Sequence, residues 1–305
     1  MGARENESGE SKRAADASRR VLDKPESAVE VSGRPVVEST HVIGKAELER
    51  LYEVLNHRRY VHPDPLEFLY SYDNALDREV VGIVAASLAY GRVRQILASV
   101  EKVLSVLGPT PASYVTETPT PKLESALSGF KHRFTTGDEV ARLLASIGEV
   151  QRRHGSLGRR FAQLVETGDG TVAPALERFV GELRGDAWRG RSSVLPAPEK
   201  GSACKRLHLF LRWMVRGDDV DPGGWDDVPA SMLVVPLDTH MHRMSRAFGL
   251  TGRAQADLKT ALDITGAFRE ISPDDPVKYD FAITRLGIRD DVTLEAVLSG
   301  EFARA

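Results

Sequence analysis

The amino-acid sequence predicts an all-α domain preceded by a disordered N-terminal tail. After Lys45, apolar residues recur at spacings of three and four over most of the chain, as they do on one face of an α-helix. The alternating pattern of a half-buried strand is nearly absent, and its best example, LVV at 233–235, is too short to matter. Hydrophobic residues make up 41% of the 305 residues, which is enough for a sizeable core.

Residues 1–40 are expected to form the tail. They are rich in Glu, Lys, Arg, Ser and Ala and hold few large apolar residues, so burial cannot offset the entropy lost on ordering. The remainder, residues 41–305, is predicted to be one all-helical domain.

The first half of this domain is predicted to contain helices at 45–57, 76–90, 92–107 and 138–153. The helix at 76–90 is apolar nearly all round, which is typical of a helix at the centre of a domain. Pro63 and Pro65 exclude a helix interior before it, and Gly108-Pro109 ends the helix that follows.

The second half is equally helical in pattern. The stretch 185–201 is predicted to be a loop from its composition. The last helix is expected to start at Asp274-Asp275-Pro276, a capping residue followed by a proline in the first turn. The predicted helices of this half lie at 156–166, 173–184, 203–216, 239–248, 255–270 and 275–286.

Composition limits the functional classes. The net charge is −3, so nothing global indicates a nucleic-acid or membrane partner. A single cysteine, Cys204, excludes a disulfide framework, a four-thiolate zinc site and a four-cysteine iron–sulfur cluster. No apolar run approaches the roughly 18–20 residues of a membrane span, and the N-terminus has no apolar signal region. We therefore expect a cytoplasmic protein without a membrane or disulfide-linked partner.

The most informative segment is WDDVPASMLVVPLDTHMHRMSRAFGL, at 225–250. Its apolar run ends at Leu237, and Asp238 then stands at a helix start, where a capping role is the simplest interpretation. The D-x-H-x-H string also offers Asp238, His240 and His242 as metal ligands. Residues two apart point to different faces of a helix, so one histidine at most can join the aspartate. No metal or other cofactor is predicted.

The string PLDTHMHRMSRAFGL resembles the "[VL]DTHV-x-R-x-x-x-R-L-G-L" segment of the helix–hairpin–helix DNA glycosylase superfamily. YDNALDREVVGIVAASLAYGRVRQI is similar to an early core helix of that superfamily, and the helix at 203–216 takes the place before its hairpin. The whole set, with RWMVR, PLDTH and DPVKYDFAITRLGI, more closely resembles an uncharacterised bacterial family of unknown function. The superfamily resemblance implies a two-lobed helical architecture with a cleft near Asp238.

This resemblance also implies a function. Asp238 matches the catalytic aspartate of the superfamily, which stabilises the positive charge that develops on the sugar when an N-glycosidic bond breaks. The implied activity is that of a monofunctional DNA glycosylase acting on damaged or modified bases in base-excision repair, with duplex or single-stranded DNA as partner. Two alternatives stay open: a non-catalytic nucleic-acid-binding module, and a metal-assisted hydrolase that uses Asp238 and His240.

The sequence departs from the superfamily at the hairpin itself. The expected "LPGVG-x-[KQ]-[TV]-A" is replaced by GDDVDPGGWDDVPASMLVV, which has no lysine to form a Schiff base, so β-lyase activity is not expected. Like charge there repels DNA phosphates unless a cation intervenes. The aspartates of this stretch are Asp218, Asp219, Asp221, Asp226 and Asp227.

Cationic residues outnumber acidic ones between Gly137 and Arg216. Lys205, Arg212 and Arg216 are spaced seven and four, so they can share one helix face, either as phosphate contacts or as an ordinary solvated face. The candidate nucleic-acid-binding residues are Arg92, Lys205, Arg212, Arg216, His240 and Arg243. Tyr90 and Trp213 are candidates for stacking on a base, although each is also a plausible core residue.

Overall fold

The computed structural model describes residues 42–185, 188, 192–288 and 293–299. Over these residues the chain forms thirteen α-helices, four short 3-10 helices and one two-stranded hairpin. The all-α prediction is confirmed. The predicted tail, residues 1–40, lies outside the described residues.

Most of the α-helices follow one another with short connections, but twenty or more residues separate α8 from α9 and α9 from α10. The 3-10 helices are Arg58–Tyr60, Pro65–Ser71, Pro198–Lys200 and Ala230–Met232. The α-helices are α1 (Lys45–Leu55), α2 (Ala75–Leu88), α3 (Val93–Leu107), α4 (Pro111–Glu117), α5 (Thr120–Ala126), α6 (Gly137–His154), α7 (Leu157–Leu164), α8 (Ala173–Arg184), α9 (Lys205–Val215), α10 (Thr239–Ala247), α11 (Leu258–Ile271), α12 (Asp280–Ile288) and α13 (Leu294–Ser299).

The hairpin lies between α5 and α6. Strand β1 (Lys131–His132) pairs antiparallel with β2 (Thr135–Thr136), with Lys131 opposite Thr136 and His132 opposite Thr135. Only Arg133 and Phe134 form the turn. The sequence pattern did not predict this element.

Helix α2 is the central helix of the fold. Every side chain from Glu79 to Leu88 is buried, and α2 packs against α3, α4, α9 and the 3-10 helix Pro65–Ser71. The packing against α9 is close: a Cβ atom added at Gly82 would lie 3.2 Å from the Phe210 ring. The prediction that the helix apolar all round lies at the centre is therefore confirmed.

A buried carboxylate joins α2 to two distant parts of the chain. Glu79 accepts hydrogen bonds from the backbone amides of Leu157 and Gly158, at 2.9 and 2.8 Å, and from Trp225 Nε1 at 2.8 Å. Burial raises the pKa of Glu79 in spite of these donors. The contacts fix the start of α7 and the segment around Trp225 against the core.

Several helix starts are satisfied by side chains, as the sequence chemistry suggests. A side chain that accepts a hydrogen bond from the first turn satisfies one of the amides that have no partner within the helix. The residues that precede α1, α3, α4, α5, α8 and α9 provide no such bond; Arg92 precedes α3 and Cys204 precedes α9. The side-chain caps are Asn74, Thr136, Ser156, Asp238 and Asp257.

The sequence analysis missed α4, α5 and α13 and placed the start of α12 about five residues early. Asp275 does not cap a helix, because its carboxylate accepts a hydrogen bond from Arg216 Nε at 2.9 Å. The chain then turns through Tyr279, whose hydroxyl donates to Glu49 at 2.8 Å, before α12 begins. In the described part of the chain, no helix has both the length and the apolar composition to cross a membrane.

Candidate functional site

Asp238 lies at the N-terminus of α10, at the end of a buried extended run. Its Oδ1 accepts a hydrogen bond from the Met241 amide at 2.8 Å, and its Oδ2 lies 2.9 Å from Lys205 Nζ. About 18% of the Asp238 side chain is exposed, compared with 35% of Lys205. The carboxylate is therefore a helix cap, as predicted, and also one half of an ion pair with the first residue of α9.

The surroundings of Asp238 keep it ionised. Burial alone raises the pKa of the carboxyl, but the Lys205 ammonium and the Met241 amide together lower it further, so the pKa lies below its ordinary value. At neutral pH such a group suits charge stabilisation and the orientation of water better than it suits proton donation.

The lysine beside Asp238 comes from an unexpected element. The segment 217–228 has no lysine, whereas Lys205 reaches the carboxylate from the start of α9. Cys204, the residue before α9, is buried, is not in a disulfide and lies in the left-handed region at φ 42°. The sequence analysis assigned Lys205 to phosphate binding, and nothing in the local pattern indicated its pairing with a residue so far along the chain.

The two histidines after Asp238 diverge. His242 Nε2 forms a hydrogen bond with the carbonyl oxygen of Arg253 at 2.9 Å. His240 packs beside Gly287 of α12, and its Nδ1 is buried without a hydrogen-bond partner within the described ranges. Over the same ranges, no three or more His, Cys, Asp or Glu side chains are grouped so that they could hold a metal ion.

Arg212 and Arg216 are not surface residues, and this corrects the sequence analysis. Both are buried, so neither a phosphate contact nor a solvated face describes them. Arg212 pairs with two aspartates and Arg216 with three, and Asp221 is shared by both. We call the set Arg212, Arg216, Asp218, Asp221, Asp275 and Asp280 the buried ion network.

The buried ion network also changes the interpretation of the aspartate-rich segment 217–228. Asp221 is fully buried and the Asp218 side chain is 14% exposed, and both pair with the buried Arg216 at the end of α9, so neither is free to repel a phosphate. Asp219 remains at the surface, where it bonds His57 Nδ1 at 3.0 Å. Asp226 and Asp227 are exposed.

The segment 217–228 does not form a helix–hairpin–helix. No helix follows Gly223 and Gly224 directly; instead the chain folds back on the end of α9. The Gly223 amide donates to the carbonyl of Trp213 at 3.0 Å, and the Trp225 amide donates to that of Met214 at 2.8 Å. The segment therefore does not present the hairpin that the superfamily resemblance implies.

The two candidates for base stacking, Trp213 and Tyr90, lie in different environments. Trp213 is 1% exposed and belongs to the core, so it cannot stack on a base, and the sequence-based assignment is corrected. Tyr90 is half-buried: its hydroxyl donates to the His132 carbonyl at 2.9 Å and lies 2.7 Å from Thr135 Oγ1. The Arg206 guanidinium lies 4.9 Å from the centre of its ring. Tyr90 thus supports the hairpin.

The remaining cations stay at the surface. Arg92 is exposed at the start of α3, and Arg243 is exposed with one Nη2 contact to the Gly287 carbonyl at 3.3 Å. Two consecutive residues of α9 link the parts of the site: Lys205 contacts Asp238, while Arg206 contacts Tyr90. Asp238 and Tyr90 therefore both contact side chains of the first turn of α9.

Comparison with known proteins gives a family without an assigned activity. Residues 64–289 match the family described as "Protein of unknown function (DUF2400)". No curated protein and no solved structure gives a significant match. Because the family match spans well over half of the chain, this protein belongs to the DUF2400 family.

Proposed function

We propose that this protein hydrolyses an N-glycosidic bond of a damaged or modified base in DNA, with Asp238 as the charge-stabilising carboxylate. The observation that carries the proposal is the ionised, partly exposed Asp238 at the N-terminus of α10, beside the Lys205 ammonium. The resemblance of PLDTHMHRMSRAFGL to the glycosylase segment supports the same residue.

The chemistry assigns separate tasks to these two side chains. As the bond between the sugar carbon and the base nitrogen breaks, its electron pair leaves with the base and positive charge develops on the sugar. The Asp238 carboxylate offsets that charge and orients a water molecule, whose oxygen bonds to the sugar carbon while its proton is transferred to the departing base. Lys205 holds the carboxylate in the free protein, and a bound phosphate competes for its ammonium.

The variant Asp238→Asn tests the proposal. We expect it to lower the rate of base release by about 10²- to 10³-fold, because the amide carries no charge. The measurement is the formation of abasic sites in duplex and single-stranded oligonucleotides bearing a panel of lesions. Base release by the wild-type protein that is unaffected by Asp238→Asn would contradict the role of this residue.

Asp257→Asn is the matched control. Asp257 caps α11 as Asp238 caps α10: it accepts from the Thr260 amide at 2.9 Å and pairs with Arg253 at 3.2 Å. Its loss removes the same kind of cap from another helix. Equal losses of activity in the two variants would indicate a structural effect and would remove the catalytic assignment.

One observation favours the non-catalytic alternative. Both oxygens of Asp238 already have partners, Met241 and Lys205, as they would in a purely structural cap. Oligonucleotide binding by the wild-type protein without release of any base would support a nucleic-acid-binding module. The metal-assisted alternative predicts that dialysis against a chelator abolishes activity, and retained activity would exclude it.

A further inference from the structure

The β1–β2 hairpin holds an aromatic side chain out in solvent. Phe134, at the turn, is 75% exposed, and it is the one aromatic residue among the highly exposed large apolar residues of the described chain. An exposed phenyl ring forgoes the free energy of burial. Its position therefore calls for a role other than stability.

The hairpin is firmly anchored, so the exposure of Phe134 is not the result of a frayed end. His132 is buried and bonds Ser99 Oγ at 2.9 Å through Nδ1 and the Tyr90 carbonyl at 3.0 Å through Nε2. Thr135 Oγ1 lies 2.6 Å from Ser193 Oγ. The base is fixed to the α2–α3 connection and to the 192–195 stretch, and only the tip projects.

Three arginines lie at the hairpin turn and at the nearby start of α3, in positions that do not favour stability. Arg133 adopts φ 52°, the left-handed conformation that the first residue of a two-residue hairpin turn requires but that is strained for a residue with a side chain. Its side chain crosses Gly91, where an added Cβ atom would lie 2.8 Å from Arg133 Cδ. Arg92 and Arg94 follow at the start of α3, the positive end of a helix with no acid in its first turn.

Unfavourable local features that coincide on one surface indicate a functional site. Here they are an exposed phenyl ring, a strained arginine and two arginines at the positive end of a helix. The exposed acid nearest in sequence is Asp138, while Glu139 is engaged by Ser193 at 2.9 Å and caps Thr136. Arg133 itself lies 5.7 Å from the centre of the Phe134 ring.

We infer that this hairpin face is a stacking site for an unpaired base of a nucleic-acid strand. The hairpin face is defined as Phe134 with Arg92, Arg94, Lys131 and Arg133. Phe134 offers a π-face to a base, and the four cations contact the flanking phosphates. An unpaired strand fits best, because neighbouring base pairs cover the faces of bases within a duplex. The inference rests on the proposed function only in taking nucleic acid as the ligand.

The hairpin face and Asp238 meet at the same helix start. Tyr90, which supports the hairpin, contacts Arg206, and the preceding residue, Lys205, contacts Asp238. The support of the hairpin and the Asp238 carboxylate are therefore linked through two neighbouring residues of α9.

The test measures binding of a fluorescent, lesion-free single-stranded oligonucleotide by anisotropy. We expect Phe134→Ala to weaken binding roughly 5- to 150-fold and Phe134→Trp to bind as the wild type does, because stacking needs an aromatic face. Val42→Ala is the matched control, since Val42 is 78% exposed elsewhere on the surface, and it should not change the affinity. Thermal unfolding checks that each variant is folded.

The salt dependence tests the cations separately. Arg92→Gln and Arg133→Gln should each reduce the slope of log affinity against log salt by about 0.7, the value for one lost phosphate contact on a single strand. Lys259→Gln, at an exposed position on α11, should leave the slope unchanged.

Several outcomes overturn the inference. They are equal affinity of Phe134→Ala and wild type, preference for intact duplex over the single strand, or no oligonucleotide binding at all. If the protein binds no oligonucleotide but binds anionic phospholipid vesicles through Phe134, the ligand of the hairpin face is a membrane. If it instead self-associates through Phe134, the ligand is a second copy of the chain. If the protein releases bases but its binding does not depend on Phe134, only this inference is wrong. If binding depends on Phe134 but no base is released, only the proposed function is wrong.

Discussion

At the scale of single residues, Asp238 shows that a helix cap and a reactive carboxylate can be the same group. The cap bond uses Oδ1, and the Lys205 ion pair uses Oδ2. A carboxylate has about four lone-pair positions, so two bonds leave room for a substrate contact. What distinguishes Asp238 from the ordinary cap Asp257 is its burial and the lysine beside it.

The variant Lys205→Met tests this difference. Removal of the ammonium should raise the pKa of Asp238, because burial then acts with less opposition. Since the lowered pKa stabilises the fold at pH values above the ordinary value and this gain is lost as pH falls, the variant should also depend less on pH in the acid range. A carboxyl-carbon NMR titration measures the pKa directly.

Lys259→Met serves as the comparison for that titration, because Lys259 is an exposed lysine of α11. It should leave the Asp238 titration where it is. An Asp238 pKa that does not change in Lys205→Met would mean that the Met241 amide, with no help from Lys205, holds the carboxylate ionised.

At the scale of elements, the segment 217–228 was expected to face DNA phosphates at the surface, but two of its aspartates pair with buried arginines instead. Its aspartates close the buried ion network against α9, and Asp221 receives both Arg212 and Arg216. Burial raises the pKa of Asp221, while the two guanidinium groups oppose that shift. Paired charges of this kind fix a segment in one position, because each arginine needs its partner.

Asp221→Ala should therefore be strongly destabilising, by about 3–5 kcal/mol, because it leaves two buried arginines short of a partner. Urea unfolding measures the loss. The exposed Asp226 of the same segment is the control, and Asp226→Ala should change the free energy of unfolding by less than about 0.5 kcal/mol. Similar small effects of both variants would show that the network does not hold the segment.

The elements that could be predicted are those whose signal is local. Helices α2, α3 and α6 carry several turns of regular apolar spacing, and the predicted bounds agree with the structure within about two residues. The seven-residue helices α4 and α5 have only two turns, too few for a period to stand out.

The features of the candidate site also differ in whether their sequence signal is local. The cap at Asp238 is local and was predicted, whereas its pairing with Lys205 depends on how α9 and α10 pack. The hairpin depends on Tyr90 and Ser99, both distant in the sequence from β1 and β2. Burial of Arg212 and Arg216 could not be predicted, because a stripe of cations has the same spacing whether it faces solvent or buried aspartates.

At the scale of the whole molecule, the modest net charge of −3 conceals a concentration of charge in the interior. The buried ion network joins α9, the segment 217–228 and α12 through two arginines and four aspartates. Aspartates outnumber arginines there, so one carboxyl is expected to resist ionisation. Asp280 is the group: it is buried, its Oδ1 has no partner in the described chain, and it contacts Arg212 through its other oxygen.

Burial raises the pKa of Asp280 to about 6 from an ordinary value of 3.8, even though Arg212 opposes the shift. The folded protein therefore binds this proton more tightly than the unfolded chain does. The contribution of Asp280 to stability is complete below about pH 4 and is lost as pH rises through 6. Asp280→Asn has no proton to lose. Relative to wild type, its free energy of unfolding should rise by on the order of 3 kcal/mol between pH 4 and pH 7.

Urea unfolding of both proteins at several pH values across this range measures that difference. Asp257→Asn should show no such rise, because the Thr260 amide lowers the pKa of Asp257, so the contribution of that carboxyl to stability changes mainly below about pH 4. A difference between Asp280→Asn and wild type that stays constant from pH 4 to pH 7 would mean that Arg212 keeps Asp280 ionised throughout. The network would then hold its full charge, and its dependence on pH would come from Asp218, whose pKa Arg216 lowers against the effect of burial, and from Asp221, whose pKa burial raises.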